Sequence, residues 1–241
     1  MVTLSYHKLR EGKCMNIKHV TMYASNFDAT KQFYLNKLQF PLLSEEPDRF
    51  TMNVGETAVT FIEAPCNEKP FYHFAFDIPS NQFEEAKEWT KGKVTLSQEQ
   101  GEDEVYFEFI NAKSIYFEDP AGNIVEFICR LSDAKQSALP FTASTLLKVS
   151  EMSIVVKDKL KSVSAFHEVS IFERDHKEIT AEGLTFMGAR EDASYLLFVN
   201  EGRTWFFSNK NAEVFPIEIL LTDGVLLKTD ENLELVSSKR V

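Results

Sequence analysis

Apolar and polar positions alternate from Ile17 to Ala24, which predicts a strand carrying His19, Thr21 and Tyr23 on one face. Asn26 is a candidate helix cap, and Ala29, Phe33, Tyr34 and Leu38 form an apolar stripe predicting a helix over 27–38. Short strand patterns follow at Pro41–Leu43, Phe50–Val54 and Ala58–Ile62, with Gly55-Glu56 as a hairpin turn. This order then recurs. Tyr72–Ile78 reads as a strand, Ser80 as the cap of a helix through Trp89, and Gly92 as its end. Val94–Ser97, Val105–Ile110 and Ser114–Arg130 read as strands, the last opened by the turn Asp119-Pro120-Ala121-Gly122-Asn123.

A polar, small-residue stretch, Leu131–Leu139, ends at Pro140 and reads as a linker. Beyond it the order begins again, with a strand at Glu151–Val156, a helix at Leu160–His167, and strands at Ile179–Met187, Tyr195–Asn200 and Thr204–Ser208. The last unit is shorter. A strand at Phe215–Thr222 meets Asp223-Gly224 where a helix is due, and Val225–Lys228 and Leu233–Val236 complete it. The reading is four units in two pairs, an α+β chain of repeated βαβββ modules with the fourth truncated. The expected division is an extension over 1–14, a first domain over 15–130, a linker over 131–148 and a second domain over 149–241.

Composition narrows the function. The 241 residues are 44% hydrophobic, enough for a sizeable core, and the 21 Phe suit strand-rich packing. A net charge of −11 argues against general nucleic-acid binding and against attraction to an anionic membrane. Cys14, Cys66 and Cys129 have neither metal-type spacing nor an even count, and no signal-peptide or membrane-spanning run is present, so a reducing cytoplasm is expected.

Glu126 raises the chemical question, because it lies between Val125 and Phe127 in a segment otherwise suited to a core. Either it faces solvent or it has a partner. With His19 and His73, each on the first strand of a unit, it has the composition of a two-histidine, one-carboxylate metal site with open positions. Three stretches, Lys18–Phe40, Tyr72–Pro79 and YFEDPAGNIVEF (Tyr116–Phe127), resemble the vicinal oxygen chelate superfamily, which includes glyoxalase I, extradiol dioxygenases, thiol transferases and bleomycin-binding proteins. The resemblance covers residues 17 to 130. It implies paired modules curved around one divalent metal (Fe, Mn, Zn or Ni) held by His19, His73 and Glu126. Thr21, Tyr23 and Tyr116 then become candidate catalytic groups.

The implied function is a metal-dependent enzyme that chelates two oxygens of a small oxygen-rich metabolite, as a lyase, isomerase, thiol transferase or dioxygenase. The alternative is a metal-free binding or sequestering protein on the same scaffold. Two departures bear on this. Leu38-Gln39-Phe40 lacks the family's glycine, and Phe61 aligns with the fourth ligand of glyoxalase I, leaving Glu63 as a remote substitute. In the second pair Glu151 or Met152 aligns with His19, and Ile217 with His73. His167 and His176 read as surface or packing residues. A single site in the first pair is therefore expected, with the second pair as a packing partner. The expected assembly is a monomer with an internal pseudo-dimer, or a homodimer.

Overall fold

The computed structural model describes residues 15–176, 178–180, 182–189, 191, 194–229 and 232–239, so the expected extension over 1–14 lies outside the described residues. The first module contains β1 (Ile17–Ala24), α1 (Phe27–Gln32), β2 (Leu42–Glu46), β3 (Arg49–Val54) and β4 (Thr57–Glu63). The second contains β5 (His73–Asp77), α2 (Phe83–Lys91), β6 (Val105–Phe107), β7 (Ala112–Glu118) and β8 (Ile124–Arg130). The third contains β9 (Lys148–Val156), α3 (Lys159–Glu168), β10 (Thr185–Met187) and β11 (Tyr195–Asn200). The fourth contains only β12 (Glu218–Leu221), β13 (Val225–Thr229) and β14 (Leu235–Lys239) among the described residues.

The strands form two mixed seven-stranded sheets, ordered β14-β13-β12-β1-β4-β3-β2 and β10-β11-β9-β5-β8-β7-β6. In each, the first strands of two modules meet antiparallel, β1 with β12 and β5 with β9. The first module therefore pairs with the fourth, and the second with the third. Each sheet draws strands from both sides of the linker. The expectation of one site confined to the first two modules is corrected by this pairing, because those modules lie in different sheets.

Local differences have physical causes. The helix after β1 ends in a π turn over Phe33–Lys37, with the Leu38 N–H donating to the Phe33 carbonyl at 2.9 Å. Gln39 then adopts φ 61°, taking the left-handed position without the freedom of glycine. Asn26 makes no side-chain cap, and α2 begins after Gln82 rather than Ser80. Val94–Ser97 forms no strand. Thr204–Ser208 is a tight loop closed by a bridge between Thr204 and Asn211. At Gly55, φ is 55° and a Cβ would lie 2.0 Å from the Leu147 carbonyl oxygen, so only glycine lets this hairpin reach the linker.

The main apolar core draws on both sheets and contains Phe27, Phe50, Phe61, Phe74, Phe76, Phe117 and Phe127. The turn before β8 is fixed by Asp119. Its Oδ1 accepts the Ala121 and Asn123 N–H groups, both at 2.9 Å. Its Oδ2 accepts the Tyr34 hydroxyl at 2.8 Å and the Asn123 amide at 2.7 Å. Asn123 Oδ1 in turn accepts the Tyr72 N–H at 2.8 Å, tying the start of β8 to the start of β5. Asp119→Ala leaves four donors without their acceptor, and at about 1 kcal/mol each it is expected to cost roughly 3–4 kcal/mol. Urea unfolding checks this, and a loss below about 1 kcal/mol would contradict the role given to the turn.

Candidate metal centre

Strand register builds the site. Glu126 on β8 and Glu151 on β9 both pair with Ala75 on β5 between them. Tyr116 on β7 pairs with Glu126, and Tyr195 on β11 pairs with Glu151. One row therefore runs Tyr116, Glu126, Ala75, Glu151, Tyr195 across five strands. Adjacent strands are about 4.8 Å apart, so two long carboxylate side chains can converge over the small Ala75. His73 lies two residues before Ala75 and shares its face. One ligand atom from each of His73, Glu126 and Glu151 lies within 4.8 Å of the other two.

The histidine is oriented for ligation. His73 Nδ1 lies 3.0 Å from the Ile124 carbonyl, so it carries the proton there, and Nε2 faces Glu126 Oε2 at 3.4 Å. A ring whose far nitrogen donates to a carbonyl presents a lone pair at the near one. Burial disfavours a charged His73, but the adjacent Glu126 outweighs it and holds the pKa above the ordinary histidine value. Burial raises the pKa of Glu151, against the opposing pull of Arg130. Arg130 lies two positions beyond Ile128 on the face of Glu126, is fully buried, and is ion-paired with Glu151. Its guanidinium also sits 5.1 Å from the centre of the Tyr195 ring.

Above this floor lies a cavity of about 370 Å³. Its walls carry six aromatic side chains, Phe107, Phe109, Tyr116, Phe186, Trp205 and Phe206, with Ile110, Ile128, Leu184 and Leu197 between them. Tyr116 stacks on Phe207 at 4.7 Å between centroids, and Trp205 lies 5.2 Å from the His73 ring. Burial and the nearby Glu126 push the Tyr116 phenol well above its ordinary pKa, so it stays protonated.

The sequence-predicted residues divide between the sheets. His73, Glu126 and Tyr116 meet at the second sheet. His19, Thr21 and Tyr23 lie on β1 in the first sheet, and none lines the cavity. His19 is thus not brought to His73 and Glu126, and Glu151 stands in the place expected of it. The first sheet repeats the geometry with different chemistry. There Thr21 occupies the position of Ala75, flanked by Thr60 and Glu218. His19 Nε2 contacts Thr60 Oγ1 at 2.7 Å, where the second sheet has the His73–Glu126 pair. The position aligned with Phe61 is Thr60 in this register, and that aligned with Ile217 is Glu218. Glu63 is exposed at the end of β4, opposite Ala24. His167 is on the surface, 2.7 Å from Glu173.

Glu151 completes the cluster and is the member that the motif of two histidines and one carboxylate does not predict. The sequence signal for it is its alignment with His19, since a carboxylate there can also ligate.

Two mixed sheets of paired modules, joined through their first strands, have the architecture of the vicinal oxygen chelate fold, and His73 of β5, Glu126 of β8 and Glu151 of β9 cluster on one of them. Residues 16–127 match the family model Glyoxalase/Bleomycin resistance protein/Dioxygenase superfamily. Residues 149–203 match a second family, Toxoflavin-degrading enzyme. Among solved structures, one similar chain is a Bacillus subtilis protein whose assignment as a dioxygenase is itself provisional. It is 12% identical with TM-score 0.61, covering 94% of this chain and 85% of that one. Glyoxalase I from Zea mays is 13% identical with TM-score 0.56, covering 92% of this chain and 91% of that one. At these identities the likeness concerns the fold. No curated protein sequence matches the chain. No helix among the described residues is long and apolar enough to cross a membrane.

Proposed function

We propose that the protein is a single-metal enzyme that binds a divalent cation through His73, Glu126 and Glu151. Its substrate is then a planar, aromatic small molecule with two adjacent oxygens. The observation carrying this is the convergence of the three ligand atoms within 4.8 Å at the floor of an aromatic-walled cavity. The donors fit a metal: one correctly oriented imidazole and two buried carboxylates, which would repel each other without a cation between them. Two carboxylates favour harder ions than a two-histidine set does, so Mn(II) or Fe(II) is the expected occupant. When bound, the ion supplies a Lewis acid that draws negative charge onto substrate oxygens.

The chain's own residues do the rest. The Ile124 carbonyl fixes the His73 tautomer. Arg130 pairs with Glu151, holding its carboxyl in place and opposing the rise that burial causes. Tyr116 holds its proton beside Glu126, and the aromatic walls exclude water and align a flat ring. The match of residues 149–203 to a family named for degrading toxoflavin supports an enzymatic reading, because that segment contributes Glu151, Leu184, Phe186, Leu197 and Arg203 to the cavity.

Metal analysis of protein purified without chelator and incubated with Mn(II) tests the proposal. The wild type is expected to retain about one equivalent after desalting, and His73→Ala very little. Equal and negligible metal in both would end the enzyme reading and leave a metal-free binding protein. His19→Ala is expected to retain metal like the wild type, which separates the two sheets.

A further inference from the structure

The cavity carries a positive charge that the metal site does not use. Arg203 lines it, half-buried, and lies 5.0 Å from the centre of the Phe206 ring. Among the described residues no carboxylate pairs with Arg203, whereas the buried Arg130 has Glu151 and the buried Arg174 has Asp175 at 3.7 Å. The hydrogen bond found for its guanidinium is one from Nη1 to the Thr204 carbonyl at 3.2 Å. A guanidinium has five N–H donors, so most of its capacity is left for a ligand. Burial lowers its pKa, partly offset by Tyr116. The guanidinium paired with Glu151 is that of Arg130, which leaves Arg203 outside that ion pair.

A second donor lies beside it. Trp205 is buried and lines the same cavity, and its indole Nε1 has no hydrogen-bond partner among the described residues. An unpaired buried N–H is costly, and a ligand acceptor relieves that cost. Both side chains sit on a pinned loop. The Gly202 N–H donates to the Ala212 carbonyl at 2.7 Å, and the Ala212 N–H to the Arg203 carbonyl at 2.8 Å. The Trp205 N–H donates to the Lys210 carbonyl at 3.0 Å. The Phe207 N–H donates to Glu99 Oε2 at 2.9 Å, and Lys210 pairs with Glu118 at 2.8 Å, which fastens the loop to the second module.

We infer that Arg203 and the Trp205 indole N–H form an anion-recognition edge, so that the ligand is an aromatic chelator bearing an additional carboxylate. The inference rests on the metal reading for the opposite end of that ligand. It is specific to the third module's loop, which sets which chelators enter. A charge-assisted bidentate contact in such a site favours the charged ligand by roughly 10- to 100-fold.

Calorimetric titration of the Mn(II)-loaded protein with catechol, 2,3-dihydroxybenzoate and 3,4-dihydroxybenzoate tests it. At least one of the two acids is expected to bind about 10-fold or more tightly than catechol. In Arg203→Gln that preference is expected to fall to within about twofold, in Arg203→Lys to survive in part, and in Trp205→Phe to weaken by a few fold. Thermal melts confirm that each variant folds. An unchanged preference in Arg203→Gln, or none for either acid in the wild type, overturns the inference. A parallel series in chelator-treated protein separates the two claims. Catechol affinity that ignores Mn(II) counts against the metal, while the ratio of acid to catechol still reports on Arg203.

Discussion

Glu126→Gln is expected to bind Mn(II) at least about 100-fold more weakly than the wild type, since even losses outside the ligand shell cost on the order of 10- to 100-fold. The change keeps the shape of the side chain and removes its charge. Glu126 is buried, so its attraction for a cation is little screened by water. The first sheet shows the same loss made by the sequence: there Thr60 occupies the equivalent position beside His19. Glu126 is a cleaner test than Glu151. Glu151→Gln also strips the buried Arg130 of its ion-pair partner, and breaking such a pair costs roughly 3–5 kcal/mol. Glu151→Gln should therefore lose both metal and stability, whereas Glu126→Gln should lose metal while unfolding in urea near the wild-type midpoint. Calorimetry with Mn(II) and urea titration, run on both variants, read the two effects apart. Binding of Mn(II) by Glu126→Gln within about threefold of the wild type would remove Glu126 from the ligand set.

The wild type should lose stability as pH rises from about 4 to about 8, and Asp77→Asn should lose much less. Asp77 is buried at the end of β5, and its Oδ1 has no hydrogen-bond partner among the described residues. Burial raises its pKa from 3.8 to about 7, with Glu151 and Asp133 adding to the rise and Arg130 and Lys148 opposing it. A carboxyl raised in the folded state stabilises that state while protonated. Its contribution is complete below the unfolded value of 3.8 and disappears as pH climbs through about 7. That gap is worth on the order of 4 kcal/mol. Glu151, also raised, contributes in the same direction, and the difference between wild type and Asp77→Asn isolates Asp77. At pH 8 the variant should be the more stable protein, and near pH 4 the two should converge. Parallel urea midpoints falling equally in both proteins would show that Asp77 does not carry the dependence.

Periodicity along the chain was sufficient for the modules. The alternation of Ile17–Ala24, the glycine at the Gly55 hairpin and the Asp-Pro-Ala-Gly-Asn turn each act within a few residues, and each appears where local chemistry places it. The truncation of the fourth module was legible too, because Asp223-Gly224 forms a tight turn straight into β13 where the other modules have a helix. Segments without their own pattern were not. Thr204–Ser208 has strand-like composition but is held as a loop by Glu99 and by its own bridge, which are contacts distant in sequence or specific to the folded loop.

His73, Glu126 and Tyr116 could be named from sequence because one module supplies all three and its register places them on one face. Glu151 could not, because its place depends on which module's first strand lies against β5. Four similar first strands offer several antiparallel pairings of comparable pattern, and local alternation does not choose among them. Pairing β5 with β9 brings Glu151 to the site and leaves His19 with Thr60 in the other sheet. The sequence by itself therefore determined the modules and two of the three residues of the candidate centre, His73 and Glu126, whereas the partner strand, the carboxylate it carries and the Arg203 loop above it were decided by tertiary pairing.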